Sequence, residues 1–199
     1  MSCPHLLRPH PVTLRDREIV LRPMTEDDWD ILYRWNNDPE VLYYAEGDDV
    51  SARCLEEVQH IYRTVSQEAF CFIVEYDGQP IGECWLQKMN LPHILKRHPN
   101  TDCRRIDLVI GEKQFWGRGI GTRVICLLTK FGFEREGADR VYGEVDSHNP
   151  RSKRAFEKVG YLVESVVEYP PGGKAQRGYD MVITGEVWRR SASSNDDER

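Results

Sequence analysis

The alternation of apolar and polar positions along the chain predicts strands interleaved with amphipathic helices. Apolar residues spaced three and four apart in SARCLEEVQHIYRTV (51–65) indicate a helix, and Thr25 followed by acidic residues indicates the start of another over TEDDWDILYRWNND. Short runs rich in β-branched and aromatic residues predict seven strands, namely REIVLRPM, FCFIVEY, IGECWLQKM, RRIDLVIG, RVYGEVD, YLVESVVEY and GYDMVITGEVW.

Two further helices follow from the same periodicity. One begins near Gly121 and Thr122 and continues through TRVICLLTKFGF, and NPRSKRAFEKVG carries a proline in its first turn, where the missing N–H does no harm. The order β, α, α, β, β, β, α, β, α, β, β predicts one mixed α/β domain over 17–189. Residues 1–16 are expected to form a loose leader and 190–199 a disordered polar tail.

Two segments between these elements are predicted to be irregular. EVLYYAEGDD reads as a loop, and LPHILKRHPNTD as a polar, proline-bearing connection.

Composition narrows the classes of function. The chain has 199 residues, of which 40% are hydrophobic, enough for one continuous core. It has no long apolar run and no secretory signal pattern, so we expect a cytoplasmic protein without a membrane partner. The net charge of −6 disfavours nucleic acid as a partner and suits a cationic ligand. The six cysteines show no CxxC spacing, which favours reduced thiols and no metal site, and we expect a monomer or homodimer.

The stretch WGRGIGT places three glycines in five positions directly before an apolar helical pattern. Glycines at a helix start let a ligand approach the free backbone N–H groups there, and the helix dipole favours an anion such as phosphate. The spacing differs from the dinucleotide and Walker glycine motifs. A glycine-rich loop that merely turns the chain is the alternative interpretation.

Two segments together resemble a known family. IDLVIGEKQFWGRGIGTRVICLLTKFGF resembles the acetyl-CoA signature of the GNAT superfamily of N-acetyltransferases, and VDSHNPRSKRAFEKVGY resembles the second segment of that superfamily. With the order of elements, the resemblance covers roughly residues 17–189. It implies a mixed, mostly antiparallel central sheet that is split between two parallel strands and flanked by helices. It also implies acetyl-CoA as co-substrate.

The resemblance assigns three parts of the chain to the acetyl-CoA site: backbone amides of the strand, the glycine loop, and residues of the second segment. They are Val109, Ile110, Trp116, Gly117, Arg118, Gly119, Ile120, Gly121, Thr122, Asn149 and Phe156. Two of these depart from the family pattern. Trp116 stands where Gln or Arg is usual, and Phe156 stands where many members have a tyrosine that serves the departing thiolate.

Asp107 is the predicted catalytic carboxylate, because an acid within the apolar run IDLVI is costly unless it is paired or functional. We expect it to take the proton of the amine directly or through water. The alternative interpretation is an outward-facing residue that pairs with Arg104 or Arg105.

Within the superfamily, the chain most resembles the aminoglycoside 6′-N-acetyltransferases. LRPMTEDDWDILYRWNNDPEVLYY, GQPIGECWLQ, RRIDLVIGEKQFWGRGIGT, EKVGY and YDMV carry this resemblance. It implies Asp107 as base, Glu144 (an Asp in the family) as a drug contact, and Tyr43 and Tyr44 as pocket walls. The residue types themselves suit a polycation, since acids follow the two tyrosines at Glu46, Asp48 and Asp49, and Asp180 adds a further acid.

The expected activity is therefore transfer of acetyl from acetyl-CoA to the 6′-amine of aminoglycosides by direct attack, which confers resistance. One alternative is an acetyltransferase for another amine, such as a polyamine, a protein N-terminus or a siderophore precursor. Another is a catalytically silent acyl-CoA-binding sensor, which Phe156 in place of tyrosine leaves open.

Overall fold

A computed structural model describes residues 6–46 and 51–196 and contains one sheet with helices on both faces. The strands are β1 Leu14–Asp16, β2 Ile19–Pro23, β3 Ala69–Tyr76, β4 Gln79–Lys88, β5 Cys103–Ile110, β6 Arg140–Asp146, β7 Leu162–Glu168 and β8 Arg177–Thr184. The α-helices are α1 Trp29–Trp35, α2 Pro39–Ala45, α3 Leu55–Ser66, α4 Pro92–Arg97, α5 Ile120–Glu134, α6 Pro150–Val159 and α7 Gly185–Asp196. Short 3-10 turns cover Glu26–Asp28 and Lys113–Phe115.

The sheet has the order β1-β2-β3-β4-β5-β6-β8-β7 and is antiparallel except between β5 and β6. These two parallel strands pair only from Cys103 opposite Arg140 to Ile106 opposite Gly143. Beyond that point β5 stays on β4 and β6 stays on β8, so the two strands part. The predicted mixed sheet with a split between parallel strands is confirmed.

The main core lies between the sheet and α5. The buried residues of α5 recur at spacings of three and four, as the sequence pattern predicts, and include Val124, Leu128 and Phe131. The opposite face of the sheet packs against α1 and α3, where Leu32 and Tyr62 are buried. The large apolar area that both faces remove from water stabilises the sheet on which the split depends.

A glycine in β6 is required by close packing against α6. A Cβ added to Gly143 would overlap the ring of Phe156, which is buried and also meets Tyr161 edge to face at 5.0 Å. Gly143 is the last β6 residue that pairs with β5. The ring of Phe156 therefore lies directly against the backbone where the split begins.

The leader is more ordered than predicted. From Leu6 onward it lies against the protein, Leu7 is buried, and Leu14–Asp16 forms an edge strand. The side chain of Arg8 donates hydrogen bonds to the carbonyls of Ser66 (2.7 Å) and Ala69 (2.9 Å), which fixes the leader to the end of α3 and the start of β3. These partners are about 60 residues away in sequence, so no local pattern reveals them.

Three other segments also differ from the sequence-based expectation. EVLYY forms α2, with Asp38 as N-cap accepting from the Glu40 and Val41 amides, and the connection after β4 contains α4. The last strand ends at Thr184, and α7 extends through Asp196 into the segment expected to be disordered. Trp188 of α7 packs 6.0 Å from the ring of Phe133, which anchors this helix to α5.

Within the described ranges, no helix is both long and apolar enough to cross a membrane. The five cysteines placed there are all free.

We expect Gly143→Ala to lower the free energy of unfolding by about 1–3 kcal/mol, because the new methyl group must displace the Phe156 ring. Thermal unfolding measures this as a fall of several degrees in Tm. Gly121→Ala is the matched control, since its Cβ would lie 3.6 Å from Leu108 and alanine favours a helix. Equal Tm values for the two variants would contradict the packing argument.

Candidate active site

A cavity of about 840 Å³ opens where β5 and β6 part. Its walls come from the ends of β5 and β6, the loop before α5, the first turns of α5 and α6, the end of α2, and the middle of β4. Fourteen of the predicted site residues border it, namely Tyr44, Glu46, Asp107, Val109, Ile110, Trp116, Gly117, Gly119, Ile120, Gly121, Thr122, Glu144, Asn149 and Phe156.

 The buried ring of Phe156 belongs both to the main core and to the wall of the cavity.

The start of α5 offers an open backbone surface to this cavity. Gly117 and Gly119 have φ angles of +76° and +77°, which favour glycine, and nothing lies within 4 Å of where their Cβ atoms would be. The N–H groups of the first turn of α5 have no partner within the helix, and its dipole is positive at that end. This end of the cavity therefore fits a phosphate-bearing ligand.

Trp116, which departs from the family pattern, ties the glycine loop to β5. Its indole Nε1 donates to the carbonyl oxygen of Ile110 at 2.7 Å. The Ile110 carbonyl therefore points away from β4, toward the loop before α5. In a strand, the N–H and C=O groups of one residue point to the same side, so the Ile110 N–H points away from β4 as well. Its amide therefore faces the open side of the split, as a carbonyl-binding role requires.

Two residues just before α6 hold the end of α2 across the cavity. Asn149 caps α6 by accepting from the Ser152 amide (3.1 Å), and its Nδ2 donates to the carbonyl of Tyr44 at 3.0 Å. His148 Nε2 lies 2.8 Å from the carbonyl oxygen of Tyr43. These bonds fix the position of Tyr44 on the cavity wall.

An arginine that the sequence reasoning missed lies between two aromatic rings at this crossing. The guanidinium carbon of Arg151 is 4.3 Å from the ring centre of Tyr44 and 4.5 Å from that of Trp116. Such cation–π contacts stabilise the arrangement and hold a positive charge at the edge of the cavity. Arg151 follows a helix-starting proline, and nothing in its sequence context distinguishes it from a solvated surface arginine.

Three carboxylates from three strands face the cavity on one side of the sheet. Glu83 of β4 is opposite Val109, two residues from Asp107 on β5, and Glu144 of β6 lies on the same face by the pairing of β5 with β6. We call Glu83, Asp107 and Glu144 the acidic ledge. Its position beside the split places negative charge next to the phosphate-fitting end of the cavity.

Arg105 connects two members of the acidic ledge. Its Nε donates to Asp107 Oδ2 at 2.8 Å, and its Nη1 lies 3.8 Å from Glu144 Oε2. Gln87 Nε2 also reaches Asp107 Oδ2, at 3.3 Å. Asp107 thus has the arginine partner of the alternative interpretation while also lining the cavity, and its role as base stays a prediction.

Burial raises the pKa of both other carboxyls on the ledge. The pKa of Glu83 rises to about 8, chiefly because it is fully enclosed and secondarily because Asp107 is near. The pKa of Glu144 is also raised by burial, with Arg105 opposing the rise. The hydroxyl of Tyr62 donates to Glu83 Oε1 at 3.2 Å, whereas Oε2 has no hydrogen-bond partner in the described part of the chain.

Sequence reasoning missed Glu83, although the signal that identified Asp107 is present there too. Glu83 is a charged residue within the apolar strand IGECW, and only 3% of it is exposed. A strand prediction does not give the cross-strand register, so the sequence did not place Glu83 beside Val109 and Asp107.

Three predicted site residues do not border the cavity. Tyr43 is 46% exposed and packs edge to face on Tyr44, and Arg118 lies over the ring of Phe115. Asp180 is buried and accepts hydrogen bonds from Ser165 and, at 2.9 Å, His93. Asp180 is therefore paired internally, away from the cavity wall. Asp48 and Asp49 lie outside the described residues.

Over residues 6–46 and 51–196, no group of three or more His, Cys, Asp or Glu side chains is arranged to hold a metal ion.

Comparison with known proteins identifies a family, and the names of the relatives refer to two classes of substrate. The family described as Acetyltransferase (GNAT) domain matches residues 18–162. The aminoglycoside N(6′)-acetyltransferase type 1 of Klebsiella pneumoniae is 24% identical over 186 residues, which cover 92% of this chain and 90% of that protein. The spermidine N(1)-acetyltransferase of Escherichia coli K12 is 26% identical over 149 residues, which cover 73% and 74% respectively.

A solved structure agrees in fold. The aminoglycoside acetyltransferase AAC(6′)-Ib in complex with coenzyme A and kanamycin superimposes with a TM-score of 0.69 at 22% identity. The match covers 87% of this chain and 99% of that one.

We expect Glu83→Gln to stabilise the protein increasingly as the pH rises from 5 to 8.5. A carboxyl whose folded pKa is raised stabilises the fold below its unfolded pKa, and this contribution is lost as the pH rises through the folded value of about 8. The variant lacks this loss, so its Tm relative to the native chain should increase by at least about 3 °C over that range.

Glu168→Gln is the control for this effect, since Glu168 is exposed on β7. A Tm difference for Glu83→Gln that does not change with pH would show that Glu83 ionises normally in the folded chain.

Proposed function

Because this chain belongs to the GNAT acetyltransferase family and is an acetyl-CoA-dependent N-acetyltransferase, we propose that it acetylates the 6′-amine of aminoglycosides by direct attack on acetyl-CoA. The observation that carries the choice of an amine with several positive charges is the acidic ledge beside the split. In the cell this reaction would confer resistance, since acetylation removes a positive charge from the drug.

The residues at the split fit acetyl-CoA. The open glycine loop and the first turn of α5 would hold the pyrophosphate, and the outward-facing amide of Ile110 would bind the acetyl carbonyl. Acetyl-CoA supplies an activated thioester. Val109 and Asn149 border the same passage and would enclose the pantetheine arm.

The other end of the cavity suits an amine with several positive charges. Glu83, Asp107 and Glu144 line it, with Glu46 at the end of α2. Arg105 contacts Asp107 and approaches Glu144, and Arg53 pairs with Glu46 at 2.8 Å. Carboxylates in a partly buried site are stabilised when a cationic ligand enters. We propose that Asp107 binds the reacting ammonium and that Glu144 and Glu46 bind the further charges.

Aromatic walls favour a ring-bearing cation over a flexible one. Trp85 and Tyr44 border the same cavity as the acids, and flat aromatic faces pack well against the apolar faces of sugar rings. The aminoglycoside relative also matches nearly the whole chain, whereas the spermidine relative matches about three quarters of it.

The second candidate is acetylation of a polyamine. The spermidine relative has slightly higher identity over its shorter match, and the acidic ledge would also bind a linear polycation. The two substrates differ in width and stiffness, so rates on both decide between them.

Release of free CoA from acetyl-CoA should be rapid with an aminoglycoside that carries a 6′-amine and absent with a matched compound that carries a 6′-hydroxyl. The 6′-hydroxyl compound lacks only the 6′-amine and keeps the other amines, so it tests whether acetyl is transferred to the 6′ position. Spermidine is the parallel substrate. A higher kcat/KM on spermidine than on any aminoglycoside would overturn the proposal in favour of the second candidate.

Glu144→Gln should raise KM for the aminoglycoside about ten-fold, since one charge-assisted contact is worth about 1.5–3 kcal/mol. KM for acetyl-CoA should not change, because Glu144 lies at the amine end of the cavity and not at the end that would hold acetyl-CoA. Glu168→Gln, outside the cavity, serves as the control of equal charge change. Steady-state kinetics at two salt concentrations measure both, and an unchanged KM in Glu144→Gln would remove this residue from the substrate site.

A further inference from the structure

Glu83 is the most deeply buried member of the acidic ledge, and the family resemblance assigns it no role. It is 3% exposed and lines the cavity wall between Tyr62 and Trp85. Its Oε1 accepts one hydrogen bond, from the Tyr62 hydroxyl, and its Oε2 has none from the residues that the structure describes. A buried carboxyl oxygen without a donor is costly, so its retention at the cavity calls for an explanation.

The surroundings of Glu83 contain acids and thiols. Tyr62 faces it from α3, Asp107 from β5 and Glu46 from the end of α2. Cys71 on β3 and Cys84 on β4 lie near enough to interact with its charge. Among the described residues no cationic side chain forms an ion pair with Glu83, unlike Asp107, which Arg105 contacts at 2.8 Å.

We propose that Glu83 is the proton acceptor for the reacting amine, while Asp107 anchors the ammonium. Glu83 is opposite Val109 across the β4–β5 ladder, and Asp107 is opposite the neighbouring Trp85 on the same face. An ammonium bound to Asp107 would thus lie beside Glu83, within reach directly or through one water.

The reaction balances with Glu83 in this role. The ammonium gives one proton to the Glu83 carboxylate, which becomes a neutral carboxylic acid. The nitrogen lone pair then forms a bond to the thioester carbonyl carbon, and the carbon–sulfur bond breaks with its electron pair on sulfur. The remaining excess proton of the nitrogen passes to that sulfur, giving the amide and free CoA, and Glu83 returns its proton to solvent.

A proton acceptor works best when its pKa lies near that of its partner and near the working pH. Burial raises the pKa of Glu83 to about 8, so its carboxylate is more basic than an ordinary one and titrates near the working pH. Every amine must lose a proton to be acetylated, so this role does not depend on which amine is the substrate.

The test compares Glu83→Gln with Asp107→Asn on whichever amine the native enzyme acetylates. We expect Glu83→Gln to lower kcat at least about 100-fold, with little change in KM for either substrate. Asp107→Asn should mainly raise KM for the amine. Binding of acetyl-CoA by Glu83→Gln, measured separately, shows that the variant is folded.

The pH dependence of kcat/KM distinguishes proton transfer from a structural role. In the native enzyme the rate should rise with an apparent pKa near 8 that stays in place for two amines of different pKa. We call this rise of kcat/KM with pH the limb. The limb should persist in Asp107→Asn and be absent in Glu83→Gln. Partial activity with the limb retained is expected of Glu83→Asp, because a carboxylate is still present.

Tyr62→Phe tests the same role without changing the carboxylate. It removes the hydrogen bond to Glu83 Oε1 that favours the ionised form, so the limb should move to higher pH. A limb that stays in place in Tyr62→Phe would overturn the proposal even if Glu83→Gln does not fold. Loss of the limb in Asp107→Asn, or a kcat within about three-fold of native in Glu83→Gln, would overturn it equally.

Discussion

The parting of β5 and β6 is the constraint on which the site depends. The two strands share a short parallel ladder that ends at Ile106 and Gly143, after which each keeps only its outer neighbour. Backbone groups on the inner edges then lack sheet partners, and buried groups of this kind need others. The Trp116 indole satisfies one of them at Ile110, so the same residue closes the strand edge and fixes the loop before α5.

The acidic ledge lies at the same opening, and the partners of its three carboxyls determine which of them can bind a cation. Arg105 contacts Asp107 and approaches Glu144, whereas Glu83 meets a tyrosine hydroxyl within the described chain. The site therefore holds more negative than positive charge at its amine end. A carboxyl buried among other acids either binds a cation or holds a proton. Asp107 is of the first kind and Glu83 of the second.

Local sequence patterns predicted the part of the site that is built from local structure. The strand, glycine loop and helix from Asp107 to Phe133 follow one another directly, so periodicity placed the strand and the helix, and the family resemblance assigned the loop between them to the acetyl-CoA site. Glu83 and Arg8 were missed or misjudged because their roles depend on partners far away in sequence: Val109 across a ladder for Glu83, and Ser66 at the end of α3 for Arg8.

The crossing of α2 and α6 connects the walls of the two ends of the cavity. Asn149 uses its carbonyl oxygen to cap α6 and its amide nitrogen to hold the Tyr44 carbonyl, so one side chain spans both helices. A pantetheine arm that contacted Asn149 would act on the residue that positions Tyr44 and, two residues later, Glu46. One hydrogen-bonded side chain therefore joins the wall of the acetyl-CoA end to the wall of the amine end.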